Sequence, residues 1–209
     1  MPDGIYGRKV GMTQVFDPEG NFVPVTIIDV SGEVVVREKT LDKDGYAAFQ
    51  LGFGQTNKKR LVKPVADYLE KHKVKPVKHI REVKPDNPQH YKVGEAVAAE
   101  AIFAPGDTVD VIGTSIGKGF QGVVKRHHFR GGPETHGSMF HRAPGSVGSS
   151  SFPSRTFKGI RMGGHMGNKR VTVKNLKVVE IIAASQTVLI RGAVPGSPDG
   201  LVMIRKVGK

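Results

Sequence analysis

Apolar positions along this chain gather into short β-branched runs separated by turn residues, the texture of a strand-rich protein. Val23-Pro24-Val25-Thr26-Ile27-Ile28-Asp29-Val30 and Glu33-Val34-Val35-Val36 are two such runs, broken by Ser31-Gly32. Tyr46 to Leu51 predicts another strand. Further candidates are Thr108 to Ile112, Val171 to Val173, Val178 to Ile182, Thr187 to Arg191 and Leu201 to Arg205. Asp17-Pro18-Glu19-Gly20 and Asp42-Lys43-Asp44-Gly45 read as turns, because proline presets φ and glycine accepts positive φ. Short strands at this spacing favour a closed barrel over a sandwich. The expected fold class is mostly β.

Two stretches depart from that pattern. Between Asn57 and Gly94 the cluster Lys58-Lys59-Arg60 precedes Pro64 to His72, a candidate short helix with proline near its first turn. Val77 to Val83 then predicts a strand and Pro85-Asp86-Asn87-Pro88 a loop, so 58–97 is expected to be a small α/β insertion on the barrel. From about His127 to Asn168 neither a helical nor a strand period is sustained. Gly131-Gly132-Pro133, Ala143-Pro144-Gly145-Ser146, Ser149-Ser150-Ser151 and Gly163-Gly164 stand there instead. A structureless stretch of about forty residues does not belong inside a compact domain. Residues 127–167 are therefore expected to form a long irregular extension, leaving 1–57, 98–126 and 168–209 for the barrel core. Run out and back as a hairpin, such an arm spans roughly 60 Å at about 3.3 Å per residue.

Charge turns this outline toward a partner. The 209 residues hold 32 Lys and Arg against 19 Asp and Glu, a formal charge of +13. Self-repulsion of that size in a compact state calls for a polyanion, nucleic acid first and an anionic membrane second. No run of about twenty apolar residues is present to span a bilayer, and the N-terminus starts without an apolar signal segment. Cysteine is absent, so there is neither a disulfide framework nor a thiolate zinc site. A cytoplasmic protein without membrane attachment, small-molecule substrate, cofactor or homo-oligomer is the expectation.

The excess charge is concentrated. From Gly117 to Arg170 the chain carries ten Lys and Arg and a single acid, Glu134, so this quarter supplies +9 of the +13. His127, His128, His136, His141 and His165 lie in the same stretch. Arginine and lysine neutralise phosphates and release counterions, glycine permits close backbone approach, and interspersed phenylalanines such as Phe129, Phe140, Phe152 and Phe157 can stack on bases. A solvated flexible linker is the plainer alternative, but linkers seldom combine this many Arg, His and Phe. RNA binding by the extension follows.

Three motifs point elsewhere and fall short. Gly117-Lys118-Gly119-Phe120-Gln121-Gly122 fits G-x-G-x-x-G after a strand candidate, but no carboxylate lies near position 140 to hold a ribose. A metal site at His136 and His141 lacks further ligands apart from Glu134. Ser146 and Ser149-Ser150-Ser151 near His141 have no nucleophile elbow and no carboxylate to orient a base.

A family resemblance sharpens the outline. Phe103, Asp110, Gly113, Ser115, Gly117-Lys118-Gly119, Gly122 and Arg126 at these spacings resemble the signature of the universal third protein of the large ribosomal subunit. Gly7-Arg8-Lys9-Val10-Gly11-Met12-Thr13 is similar to that family's N-terminal segment. Thr135-His136-Gly137, His141 to Ser146, Phe157-Lys158-Gly159 and Met162 to Gly167 look like its central extension. Arg170-Val171-Thr172-Val173 and Gly192 to Gly196 look like its C-terminal third, so the resemblance covers nearly the whole chain at bacterial-type length. It implies a translation-protein-type β-barrel and an extension that runs through large-subunit (23S-type) rRNA toward the peptidyl transferase centre. It further implies binding near the 3′ end of that RNA early in assembly, with large-subunit proteins fourteen and nineteen as neighbours, and no catalysis by the protein itself. Some bacterial members carry a methylated glutamine at the extension's tip. Ser151 occupies that position here and has no amide nitrogen, so that modification is expected to be absent.

The expected RNA contacts are Arg126, His127, Arg130, His141, Arg142, Arg155, Lys158, Arg161, Lys169 and Arg170, followed by Arg8, Lys9, Lys58, Lys59, Arg60 and Lys118. The alternative is a free RNA chaperone or regulatory RNA-binding factor of the same chemistry. Co-sedimentation with large subunits in high salt separates the two.

Overall fold

A computed structural model describes residues 3–85 and 91–207. The first half contains strands β1 (Gly4–Phe16), β2 (Phe22–Asp29), β3 (Val34–Lys39), β4 (Ala48–Gln55) and β5 (Val77–Val83). Single-turn helices α1 (Leu41–Asp44) and α3 (Ala99–Ile102) and the longer α2 (Lys63–Lys71) accompany them. The second half holds β6 (Thr108–Thr114), the two-residue β7 (Phe120–Gln121), α4 (Val123–His127), β8 (Gly164–His165), β9 (Arg170–Ile182), β10 (Thr187–Arg191) and β11 (Leu201–Lys206). Two compact units result, residues 1–114 with 170–209, and residues 115–169.

In the first unit six strands close into a barrel in the order β1-β11-β6-β9-β10-β2, all antiparallel. A closed barrel leaves no edge strand, and its inward positions make the core. Ile5, Ile28, Val109, Val111, Val188, Ile190 and Ile204 are all completely buried in one cluster. Val23, Val25 and Leu189 form a second cluster on the other face of β2 and β10, so these strands are apolar on both sides rather than alternating.

The structure moves three expectations. Residues 34–55 belong to the expected barrel core, but β3 and β4 pair with β5 in a separate three-stranded sheet. Val36 and Val77 of that sheet pack on Leu69 of α2 with Val74, while Val35, Phe49, Leu51 and Val83 join the barrel cluster. The α/β element is therefore larger than 58–97. The second change is β1, a 13-residue strand where no strand was expected. Its Gly7 is required by close packing, since a Cβ there would lie 2.5 Å from the Ile28 side chain. Third, the separate strands expected at Val171–Val173 and Val178–Ile182 are one strand, β9, with a bulge. Its register against β6 jumps between Val109 and Val111, and Asn175 has φ 58°. The nearly buried Asp110 carboxylate accepts the Asn175 N–H at 3.1 Å and an Arg205 N–H at 3.2 Å, which fixes the irregular turn of chain. The loop expected at Pro85-Asp86-Asn87-Pro88 falls outside the described residues from Asp86 onward.

Candidate nucleic-acid interface

The second unit, 115–169, has a laddered base and an irregular remainder. Ser115 N–H donates to Lys169 O at 2.9 Å and Asn168 N–H to Ser115 O at 3.0 Å. Lys118 N–H reaches Met166 O at 2.9 Å, Met166 N–H reaches Gly119 O at 2.9 Å, and β7 then pairs with β8. Gly167 sits in this ladder at φ 74°, where a Cβ would come 2.1 Å from Ile116 O, so only glycine fits. Gly122 does open a helix, α4, as G-x-G-x-x-G requires, but the helix spans five residues and stops at His128 with φ 60°.

Past the ladder two residues of α4 staple the returning chain at Met162. Arg126 Nη1 donates to Met162 O at 2.8 Å, and His127 Nε2 lies 3.0 Å from the same oxygen. The Arg126 guanidinium rests against Gly164, whose added Cβ would be 2.5 Å from Nη1. Further out, Gly132 N–H donates to His141 O at 2.9 Å, and His141 Nδ1 is 3.0 Å from Pro133 O. The Arg155 guanidinium lies 5.6 Å from the centre of the Phe157 ring.

Very little of this unit is covered. Val123 is its one buried side chain, whereas Phe120, Phe152 and Met139 are 78%, 85% and 99% exposed. Nine Lys and Arg stand against Glu134, a net +8. Fifty-five residues with one buried side chain cannot offset their ordering entropy by internal apolar burial. The segment is held by backbone hydrogen bonds and offers exposed cations and rings.

The expected contact residues divide accordingly. Lys118, Arg130, Arg142, Arg155, Lys158, Arg161 and Lys169 are exposed, as is His141. Arg126 and His127 are half-buried and committed to Met162 O, so their first role is to shape the segment. In the barrel unit Arg8 bridges Asp29 at 3.1 Å and Asp199 at 3.3 Å. Lys9 Nζ donates to Val194 O and Gly196 O, both at 3.0 Å, pinning the loop before β11. Lys58 pairs with Glu70 at 2.5 Å, which raises the lysine pKa, while Lys59 and Arg60 follow it exposed in a 3-10 turn. Arg170 opens β9 opposite Thr114. Arg81 and Arg205, not singled out from sequence, line a cavity together with Arg170. No local signal links residues so far apart in the chain.

Burial pushes the Glu33 carboxyl well above the ordinary glutamate range, and Lys39, Gln50 and Tyr46 hold exposed Glu82 down to about 2. Among the described residues no three of His, Asp and Glu gather as metal ligands, and no helix is long and apolar enough to cross a membrane.

The chain thus combines a barrel that has its own core with a cationic segment that buries a single side chain. The family model described as ribosomal protein L3 matches residues 87–188. The large ribosomal subunit protein uL3 of Pelotomaculum thermopropionicum is 48% identical over 209 residues, covering 100% of this chain and 99% of its own. Those of Syntrophotalea carbinolica and Herpetosiphon aurantiacus are 49% and 50% identical, each across 100% of this chain and 100% and 98% of their own. The chain belongs to the ribosomal protein L3 family, a structural rather than enzymatic one. Its signature positions have physical work to do here. Phe103 is in the core, Asp110 caps the bulge, and a Cβ on Gly113 would press on Pro195 at 3.0 Å.

Proposed function

We propose that the chain is a structural constituent of the large ribosomal subunit in the cytoplasm, bound to large-subunit rRNA chiefly through residues 115–169. The observation that carries this reading is the near-absence of a core in a +8 segment most of whose rings and guanidinium groups are exposed. RNA completes such a segment by neutralising its cations and covering its rings, so ordering and binding are coupled. The family resemblance adds the finer expectations. The protein binds near the 3′ end of the rRNA, nucleates assembly, directs the extension of residues 127–167 toward the peptidyl transferase centre, and neighbours large-subunit proteins fourteen and nineteen. Its influence on catalysis is then positional, exerted through the RNA it holds.

The test compares the intact chain with a version lacking 130–163 on a 3′-terminal large-subunit rRNA fragment across a salt series. The deletion removes Arg130, Arg142, Arg155, Lys158 and Arg161. At roughly 0.7 to 0.9 per phosphate contact, the salt slope should flatten by about 3.5 to 4.5. Equal slopes would assign the affinity to the barrel. No preference over an unrelated RNA would refute the reading.

A further inference from the structure

The barrel unit holds a cavity of about 480 Å³ where β5 meets β1, β9 and β11. We propose that it is a separate nucleotide site, in which Arg81, Arg170 and Arg205 take one RNA phosphate while Tyr6 and Met203 seat its ribose and base. The identity of the ligand as RNA rests on the function proposed above; the site itself rests on the following geometry.

Three strands distant in sequence each bring one arginine to the same wall. Arg81 comes from β5, Arg170 from the first position of β9 and Arg205 from β11, and Lys84 adds a fourth cation. The acids lining the cavity are Asp3 and Glu82. Glu82 is already engaged by Lys39 at 2.7 Å, by Tyr46 at 2.8 Å and by Gln50 at 3.0 Å. Arg205 is fixed by Asp110 through one N–H at 3.2 Å, and Arg81 donates one N–H to Ile80 O at 3.0 Å. A guanidinium has five N–H donors in a planar fork, so each keeps capacity for a phosphate oxygen and enters the site already oriented.

The floor of the cavity suits a nucleoside. Tyr6 is held by parallel stacking on Phe53, with centroids 5.5 Å apart at 4°, and His79 stacks on Phe53 in turn. The Tyr6 hydroxyl is raised in pKa by burial, an effect that the positive charges of Arg81 and Arg170 oppose, consistent with both lying near the ring. Met203 supplies an adaptable apolar surface beside it. The volume is that of a small-ligand site and exceeds what a bare phosphate needs. A carboxylate from an acidic peptide would engage one guanidinium fork and leave the ring wall empty. The three cations together with the ring favour a nucleotide unit.

The experiment uses the full chain. Adenosine monophosphate, inorganic phosphate and a tetraglutamate peptide are titrated separately while the arginine Nε–H resonances are followed by NMR. The expected result is saturable shifts at Arg81 and Arg170 with the nucleotide, several-fold weaker binding of inorganic phosphate, and about a tenfold affinity loss in Arg81→Ala. Arg81→Lys, which keeps the charge and the strand, should recover only part of it. Absence of saturation at these arginines, equal affinity for phosphate and nucleotide, or response to the peptide alone overturns the site. On the rRNA fragment, Arg81→Ala in the chain lacking 130–163 should lower the residual salt slope by about 0.7 to 0.9. An unchanged slope while the intact chain still binds that RNA refutes use of the site and leaves the function standing. Failure of the intact chain to bind the RNA refutes the function, and the nucleotide titration then decides the site alone.

Discussion

Glu33 gives a prediction that can be worked through from structure to measurement. It sits in the turn between β2 and β3 with 1% of its surface exposed. Its Oε1 accepts the Tyr6 N–H at 2.6 Å, and Oε2 is buried without a partner. Desolvation, only partly opposed by that hydrogen bond, raises its pKa well above the ordinary 4.5. The folded chain therefore holds this proton more tightly than the unfolded chain. Its contribution to stability is complete below 4.5, declines as pH rises above that value, and is fully lost once pH passes the raised folded pKa. Within that window the loss approaches about 1.4 kcal/mol per pH unit.

Glu33→Gln keeps the Oε1 acceptor and exchanges an unpaired hydroxyl for an unpaired amide, so the two chains should differ by roughly 1 kcal/mol or less near pH 4.5. Above it the variant escapes the titration, and its advantage should grow by up to about 1.4 kcal/mol per unit. Urea unfolding of both chains at about pH 5, 6 and 7 measures this, because every other titrating group is common to both and cancels in the difference. Guanidinium chloride is unsuitable, since its salt screens the charges. A difference that stays flat across the series would refute the claim that burial raises the Glu33 pKa in the folded chain.

Other consequences are simpler. Asp110→Ala strands the Asn175 N–H and the Arg205 guanidinium, and should cost about 1.5 to 3 kcal/mol in urea unfolding. Gly132→Ala would place a Cβ 1.8 Å from Phe140 O, so the rung between Gly132 and His141 must open. In the chain bound to the rRNA fragment, amide exchange at position 132 should then accelerate by about tenfold or more with the barrel's protection unchanged; an unaltered rate would show that the rung is not formed in the bound segment. Arg142→Ala should reduce the salt slope on rRNA by about 0.7 to 0.9, and an unchanged slope would remove Arg142 from the interface.

Where a strand's burial is written in its own residues, the sequence revealed it. β10 was expected at Thr187 to Arg191 and β5 at Val77 to Val83, and both span those residues; α2 is displaced from its expected bounds by one residue at each end. β1 escaped notice because its glycines and cations carry no apolar alternation. Gly7 is there for lack of space against Ile28, a tertiary fact. β9 looked like two strands because its bulge at Asn175 interrupts the period, and the Asp110 carboxylate that satisfies the bulge lies 65 positions upstream. At the interface, the concentration of charge around Arg130 to Arg161 was plain from composition. Which cations are occupied elsewhere was not, since Lys9 on the Val194 and Gly196 carbonyls and Arg126 on Met162 depend on chain segments brought together only by folding.

The ladder that begins with Thr114 opposite Arg170 and continues through Ser115 and Lys169 means that the segment departs and returns through neighbouring backbone positions. For the barrel, everything between those residues amounts to one long hairpin connection. Doubling such a connection adds only about 0.6 kcal/mol of closure entropy. Shortening or extending the tip is therefore nearly invisible to barrel stability, and the length of the segment is free to vary without cost to the fold that carries it.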